Sequence, residues 1–452
     1  MSSMIDGPSS PLFIPIPIGA AATAAELELT DISDQLRAAL AHAPRGECVC
    51  RGIPFDVDAI AAVHDAPVTV PLPNLKARWL VFLHTSDVRP MEANEHGVYS
   101  PMRGEGQLGE LACTYHAGFA DGTDAALPVR RRFQIGCFTR RWGENCFEAV
   151  AHAKSRPVHA SHEQLRQGWG WTQTRVESAD FSELMLWLYA WENPKPDIPL
   201  SSLRCEPGAG TVLLFGIAAG SVTSHPLRWE TRRKAILTLP EGAAFTPDLD
   251  ENGLLKHVRL DLGQVISALP RPLYPDQEWE SGYNNAVPEL SKDQVLIEYT
   301  AHPQACFHFS NGETIAAAAL GAPAADALRA PVTDAQAEAR PSSVLQPVAT
   351  ATKRIRLTVV EKGSAAPVPV KLHVHGQAGE YLAPLDRHRI PNPAWFEDYS
   401  VDFVHAGSHW CTYINGETML DLPIGTAFVE IAKGFEVRPV RRRLDITKAT
   451  DR

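Results

Sequence analysis

Three short stretches constrain this chain more than anything else in it: "ACTYHAGFADGTDAALPV" (112–129), "QACFHFSNGETIAAAAL" (304–320) and "HWCTYINGETMLDLPIG" (409–425). Each runs an aromatic-rich apolar segment into Asp121-Gly122, Asn311-Gly312 or Asn415-Gly416, and then into a second apolar segment. Asp-Gly and Asn-Gly readily take the positive φ values of a two-residue type I′ turn, which matches the twist of paired strands. The pattern predicts three β-hairpins spread over the chain, and with them three β-regions. No fixed repeat period links them.

The segments between them agree. "ARWLVFLHT" (77–85), "LMLWLYAWENP" (184–194) and "TVLLFGIAAG" (211–220) are short, aromatic-containing apolar runs bounded by turn residues, and they read as buried strands. The 31 glycines and 36 prolines are distributed as turn signals, which favours many short strands. Helical signal is thin. "TDISDQLRAALAHAPRG" (30–46) offers Asp31 or Ser33 as a cap and a Pro-Arg-Gly stop, and "SHEQLRQGWG" (161–170) adds a turn or two. The expected class is mainly β, with two or three β-sandwich domains and few helices.

At 452 residues the chain exceeds one ordinary core. In "GAPAADALRAPVTDAQAEARPSSVLQPVATATK" (321–353) large apolar residues nearly vanish, which marks a linker. After it, "RIRLTVVEKG", "APVPVKLHVHGQAGEYLAP", "TAFVEIAKG" and "FEVRPVRRRLDI" alternate with period two, as a compact antiparallel sandwich over 354–452 does. Its final strand carries Arg438, Arg441, Arg442 and Arg443, read as a solvated edge whose charge blocks edge-to-edge pairing. Upstream, 1–240 is expected to form one sandwich and 241–320 a second β region packed on it.

A net charge of -11 argues against nucleic acid or an anionic membrane as partner. The start, "MSSMIDGPSSPLFIPIPIGAA", lacks a basic leader, and prolines break its apolar run; a cytoplasmic chain is the expectation. The eight cysteines form no C-x-x-C pair. Cys48 and Cys50 share one face of a strand, and free structural thiols are expected. There is no G-x-G-x-x-G after a strand, no phosphate-loop signature, no G-x-S-x-G and no H-E-x-x-H, so nucleotide chemistry and a standard serine-hydrolase elbow lack support.

In order along the chain, "RGIPFDV" (51–57), "RWLVFLHTSD" (78–87), the "FADGTDAALPV" hairpin and "LWLYAWENPKPDIPLSSL" (186–203) resemble a galactose-binding-like β-sandwich. The tail, from "PVPVKLHVHGQAGEYLAP" through "PVRRRLDI", is similar to a transthyretin-like, carboxypeptidase-regulatory-like module. Both occur as ancillary regions of carbaryl-hydrolase-type (CehA/McbA) metallohydrolases of the PHP superfamily. In that family the catalytic domain follows the tail module, and this sequence stops at Arg452. The resemblance therefore implies the ancillary regions without the PHP catalytic domain.

"KLHVHG" (371–376) is the most direct chemical signal. On a strand, Leu372 and Val374 face the core, while His373 and His375 share the other face. Imidazoles at i and i+2 can chelate Zn²⁺ or Mn²⁺ with a third ligand from His388, His405, His409, Asp386, Glu397 or Asp398. His409 completes the expected set. The plainer reading puts both histidines on the side of an ordinary strand that faces solvent or a neighbouring domain, and that is the expectation adopted. "NPAWFEDYSVDFVHAGSHW" (392–410) sets Trp395 and Trp410 among Glu397, Asp398, Asp402 and His405. Aromatics beside carboxylates suit a sugar site, with Glu397 or Asp398 as general acid or base, and equally suit a loop capping a sandwich. Trp169 and Trp171 in "QGWGWTQTRV" form an outward platform or cover a core. His84, His302 and His308 sit singly in apolar strands, as hydrogen-bonded core residues do.

The functional expectation is a carbohydrate- or glycoside-related protein, leaning towards a metal-assisted hydrolase or lyase acting on a small sugar-like substrate between domains. The alternative is a non-catalytic scaffold or subunit that binds a partner protein or a second copy of itself.

Overall fold

The apolar runs at 77–85, 184–194 and 211–220 become the centre of the molecule. In a computed structural model of the chain, residues 4–19, 32–89, 93–98, 107–139, 145–154, 183–245, 255–273, 278–282, 287–321, 343–387, 389–390, 399–400, 402–405 and 409–448 are described. Strands Trp79–Ser86, Trp187–Glu192 and Val212–Gly220 pair antiparallel inside a six-stranded sheet. They read as continuous apolar runs because both faces of this sheet are covered. Val81, Leu83, Leu186 and Leu188 enter one core, while Leu80, Phe82, Met185 and Trp187 enter another. In Val212–Gly220 a register shift between Leu214 and Gly216 resets the alternation, so that Leu214 and Ile217 reach the same core.

One core is closed by a four-stranded sheet in the order Val68–Leu75, Leu200–Pro207, Leu111–Phe119, Asp124–Arg130. The other is closed by the hairpin Gly46–Cys50/Ile53–Val57, by the helix Asp34–Ala39, and by a second four-stranded sheet. Ser33, one of the two expected caps, begins the helix by accepting from the Leu36 N–H at 3.1 Å. The second four-stranded sheet runs Gly263–Leu273, Glu289–Ala301, Arg233–Thr238, Val344–Pro347. Its last two strands cross the limit expected at 240 and the linker expected over 321–353, because Arg233–Thr238 pairs with both Glu289–Ala301 and Val344–Pro347. All eight cysteines are free thiols.

Two of the three expected hairpins form, with a different turn. Phe119 N–H bonds to Thr123 O and Gly122 N–H to Phe119 O, and the 309–313 loop repeats both bonds. Only the glycines have positive φ, +82° at Gly122 and +85° at Gly312, so these are three-residue loops with a glycine bulge. Asp121 and Asn311 are there for their side chains, which accept the N–H of Thr123 and Glu313 at 3.0 Å each. The third stretch is not a hairpin. His409–Asn415 and Glu417–Pro423 belong to different sheets, and Gly416 (φ +84°) turns the corner between them.

Those two sheets make the C-terminal module. Five strands in the order Phe403–His405, His409–Asn415, Pro369–Gly376, Gly425–Ala432, Val440–Ile446 face the pair Ala351–Thr358/Glu417–Pro423 over a core that includes Leu372, Val374, Leu420 and Val429. The other face of the five-stranded sheet is covered as well. The short helix Glu278–Ser281 lays Trp279 edge-on against Phe428 at 5.6 Å, and the Arg441 guanidinium lies 5.7 Å from the indole. Arg441 is 2% exposed and pairs with Glu430 at 2.8 Å, so the basic strand is an edge at which one arginine is internal; Arg438, Arg442 and Arg443 remain exposed. Arg271 joins the two bodies too, donating to the carbonyls of Gln377 (2.9 Å) and Ala378 (3.2 Å). Among the described residues no helix is long and apolar enough to cross a membrane.

Candidate metal centre

His373 and His375 do lie on one face of Pro369–Gly376, opposite Leu372 and Val374. Of the two surroundings expected for this face, solvent is excluded: each histidine is 1% exposed, and His409 from the neighbouring strand, itself 3% exposed, packs on them. The ladder between Pro369–Gly376 and His409–Asn415 ends at Leu372↔Thr412. Beyond it the Trp410 carbonyl takes Nδ1 of His373 at 2.9 Å and Nε2 of His375 at 3.0 Å. A carbonyl only accepts, so both nitrogens carry protons there. In a neutral His373 ring, Nε2 then bears the lone pair.

The three imidazoles form a stack. His373 and His409 lie 3.9 Å apart at 14°, and His375 and His409 5.1 Å apart at 14°. Two imidazolium rings at that separation in a buried site would repel strongly. Burial pushes His375 down to about 4, against the pull of the Trp410 and Gly379 backbone. One ligand atom from each histidine falls within a group whose members are all within 4.8 Å of one another. A tetrahedral ion bonded at the usual zinc–nitrogen length needs nitrogens about 3.3 Å apart with converging in-plane lone pairs, so the rings would have to rotate out of the parallel stack to close the set. A fixed carbonyl partner is the kind of contact that orients imidazoles where they do bind a metal.

Tyr381 and Trp410 cover the cluster. Tyr381 lies 5.6 Å from His375 and stacks on half-buried Trp410 at 5.8 Å, and its hydroxyl donates to Asp402 at 3.0 Å. Arg387 holds the other Asp402 oxygen at 2.9 Å. Burial, followed by the Asp402 carboxylate, holds the Tyr381 phenol well above its usual range.

No protein-family model matches this chain, and no curated protein matches it.

Of the candidates for third ligand, His409 joins the pair. Asp386 instead bonds the Thr418 hydroxyl and the Met419 N–H. His388, Glu397, Asp398, Trp395, Trp169 and Trp171, and the side chain of His405, lie outside the described residues. Trp410 contributes its carbonyl to two histidines and its ring to Tyr381. Tyr381 and Arg387 were not singled out in the sequence. The available signal was "GQAGEY": the tight turn Gly376–Glu380 returns the chain so that Tyr381 pairs with His375.

Of the isolated histidines, His84 and His302 are core residues, whereas His308 is half-buried with its Nε2 3.5 Å from Asp261. His84 bonds the Tyr115 hydroxyl and the Gln134 carbonyl, each at 3.0 Å. His302 lies 2.7 Å from the Ser224 hydroxyl, which suggests an activated serine, but the Gln304 N–H occupies its Nδ1 at 3.0 Å. The neutral ring must then carry its proton on Nε2 and donate to Ser224, so it has no lone pair with which to take the serine proton. The adjoining cavity, lined by Glu230, Arg233, Tyr299 and His302, is about 90 Å³, well short of what a drug- or sugar-sized ligand fills.

Proposed function

We propose that this chain is a metal-binding β-sandwich protein in which a divalent ion of the zinc class, held by His373, His375 and His409, clamps the C-terminal module as a binding scaffold. The observation that carries the reading is the burial of three imidazoles with their ligand atoms within 4.8 Å of one another. An all-imidazole set favours zinc over manganese, which prefers carboxylate and water oxygens. Two acids of the module support this, since Asp402 is engaged by Tyr381 and Arg387, and Glu430 by Arg441. Enclosure supports a structural ion. An exposed turn supports the scaffold role, with Phe435 100% exposed beside exposed Val437 and Val440 as an apolar contact for a partner protein.

A second reading is metal-assisted hydrolysis or elimination on a glycoside-like substrate. Its support is the Trp410–Tyr381 stack with Asp402 beside it, an aromatic face next to an acid. The two readings part on thermal stability and turnover. For a structural ion, zinc added to chelator-stripped protein raises the melting temperature, and a panel of chromogenic glycosides stays uncleaved. Zinc-dependent glycoside cleavage would replace the scaffold reading with the enzymatic one.

A further inference from the structure

We infer that Cys411 is the fourth protein ligand of the three-histidine centre, which makes it a closed His₃Cys site; the inference rests on the metal reading above. Three imidazoles leave one tetrahedral position, and a water or a protein donor must fill it. Cys411 stands two residues from His409 on the same strand, so the two side chains share a face. It is 3% exposed. The last pair of the ladder is Leu372↔Thr412, and His373 and Cys411 are the next residue beyond it on each strand. On the other side, the residue level with His373 is Glu430, which Arg441 already holds. The charges of Lys371, Asp402 and Glu430 reach the Cys411 sulfur, and Glu430 is the residue paired with His373. Asp402 is committed to Tyr381 and Arg387. Cys411 is therefore a buried donor that the strand of His409 itself supplies beside the cluster.

Cys411 stands outside the group of atoms within 4.8 Å of one another, so ligation takes a rotamer change at Cys411 together with the ring rotations described above. As the metal–sulfur bond forms, the thiol proton passes to solvent, and no oxidant or reductant is involved. A thiolate with three imidazoles leaves no open position, which is the arrangement of a structural ion.

The test strips the full chain with a chelator, reloads it with cobalt(II), and compares wild type, Cys411→Ser and His373→Ala by near-ultraviolet and visible absorption. The expected result is one bound cobalt with a sulfur-to-metal charge-transfer band. Cys411→Ser should keep the cobalt and lose the band, and its zinc affinity should fall by more than the ~10–100-fold that loss of an outer-shell partner costs. Cobalt that binds in wild type, is lost in His373→Ala and shows no thiolate band would overturn the Cys411 assignment and leave the histidine site standing. A band that persists in Cys411→Ser would do the same. Absence of any bound cobalt would overturn both.

Discussion

At the scale of single residues, the chemistry lies in side chains whose surroundings forbid charge. His84 is fully buried, and burial pushes it down to about 4. Its ring binds a proton near pH 6.5 when unfolded and only near pH 4 when folded, so between those values the unfolded chain takes up the proton. Stability falls as the pH falls through that window, by up to about 3 kcal/mol for this group. Urea midpoints at pH 7 and pH 5 measure the slope, and His84→Gln should flatten it; an unchanged slope would mean that other groups govern acid sensitivity. The histidine spacing at 373 and 375 was legible in the sequence. Their burial was not, because it depends on His409 crossing from another strand and on the end of a ladder, neither of which a period-two pattern records.

At the scale of elements, the buried strands were easy to read and the turns were not. A strand covered on both faces must be apolar throughout, and Val212–Gly220 is buried at every position. The Asp-Gly and Asn-Gly pairs announce a glycine at positive φ but leave open what the turn joins. Gly122 faces open space, whereas a Cβ on Gly416 would lie 2.7 Å from Pro367 Cβ and from Val368 N. Gly122→Ala should therefore cost about 1 kcal/mol from backbone strain alone. Gly416→Ala should cost about 2–4 kcal/mol, because a sheet-to-sheet corner cannot give way. Denaturant melts of the two variants rank them, and equal losses would mean that Gly416 is no tighter than an ordinary hairpin turn.

At the scale of the whole molecule, one core is shared by strands from residue 13 to residue 345, while the C-terminal module keeps its own. Trp279, Arg441 and Arg271 tie the two together. Trp279→Ala should split one calorimetric transition into two, the module melting first; a single unshifted transition would show that the contact adds no coupling. Arg441→Met should be worse than its surface neighbours, losing about 3–5 kcal/mol by leaving Glu430 buried without its partner. Arg442→Met, on the exposed side of the same strand, should change stability by less than about 0.5 kcal/mol in the same melt.

The central claim is that His373, His375 and His409 hold a metal ion. The most direct measurement is metal content by mass spectrometry on protein purified without a histidine tag, beside His373→Ala/His375→Ala. Near-stoichiometric zinc is expected in the wild type, and its loss in the double variant. Metal-free protein in both, after growth with zinc supplied, would contradict it and leave three stacked imidazoles as ordinary core.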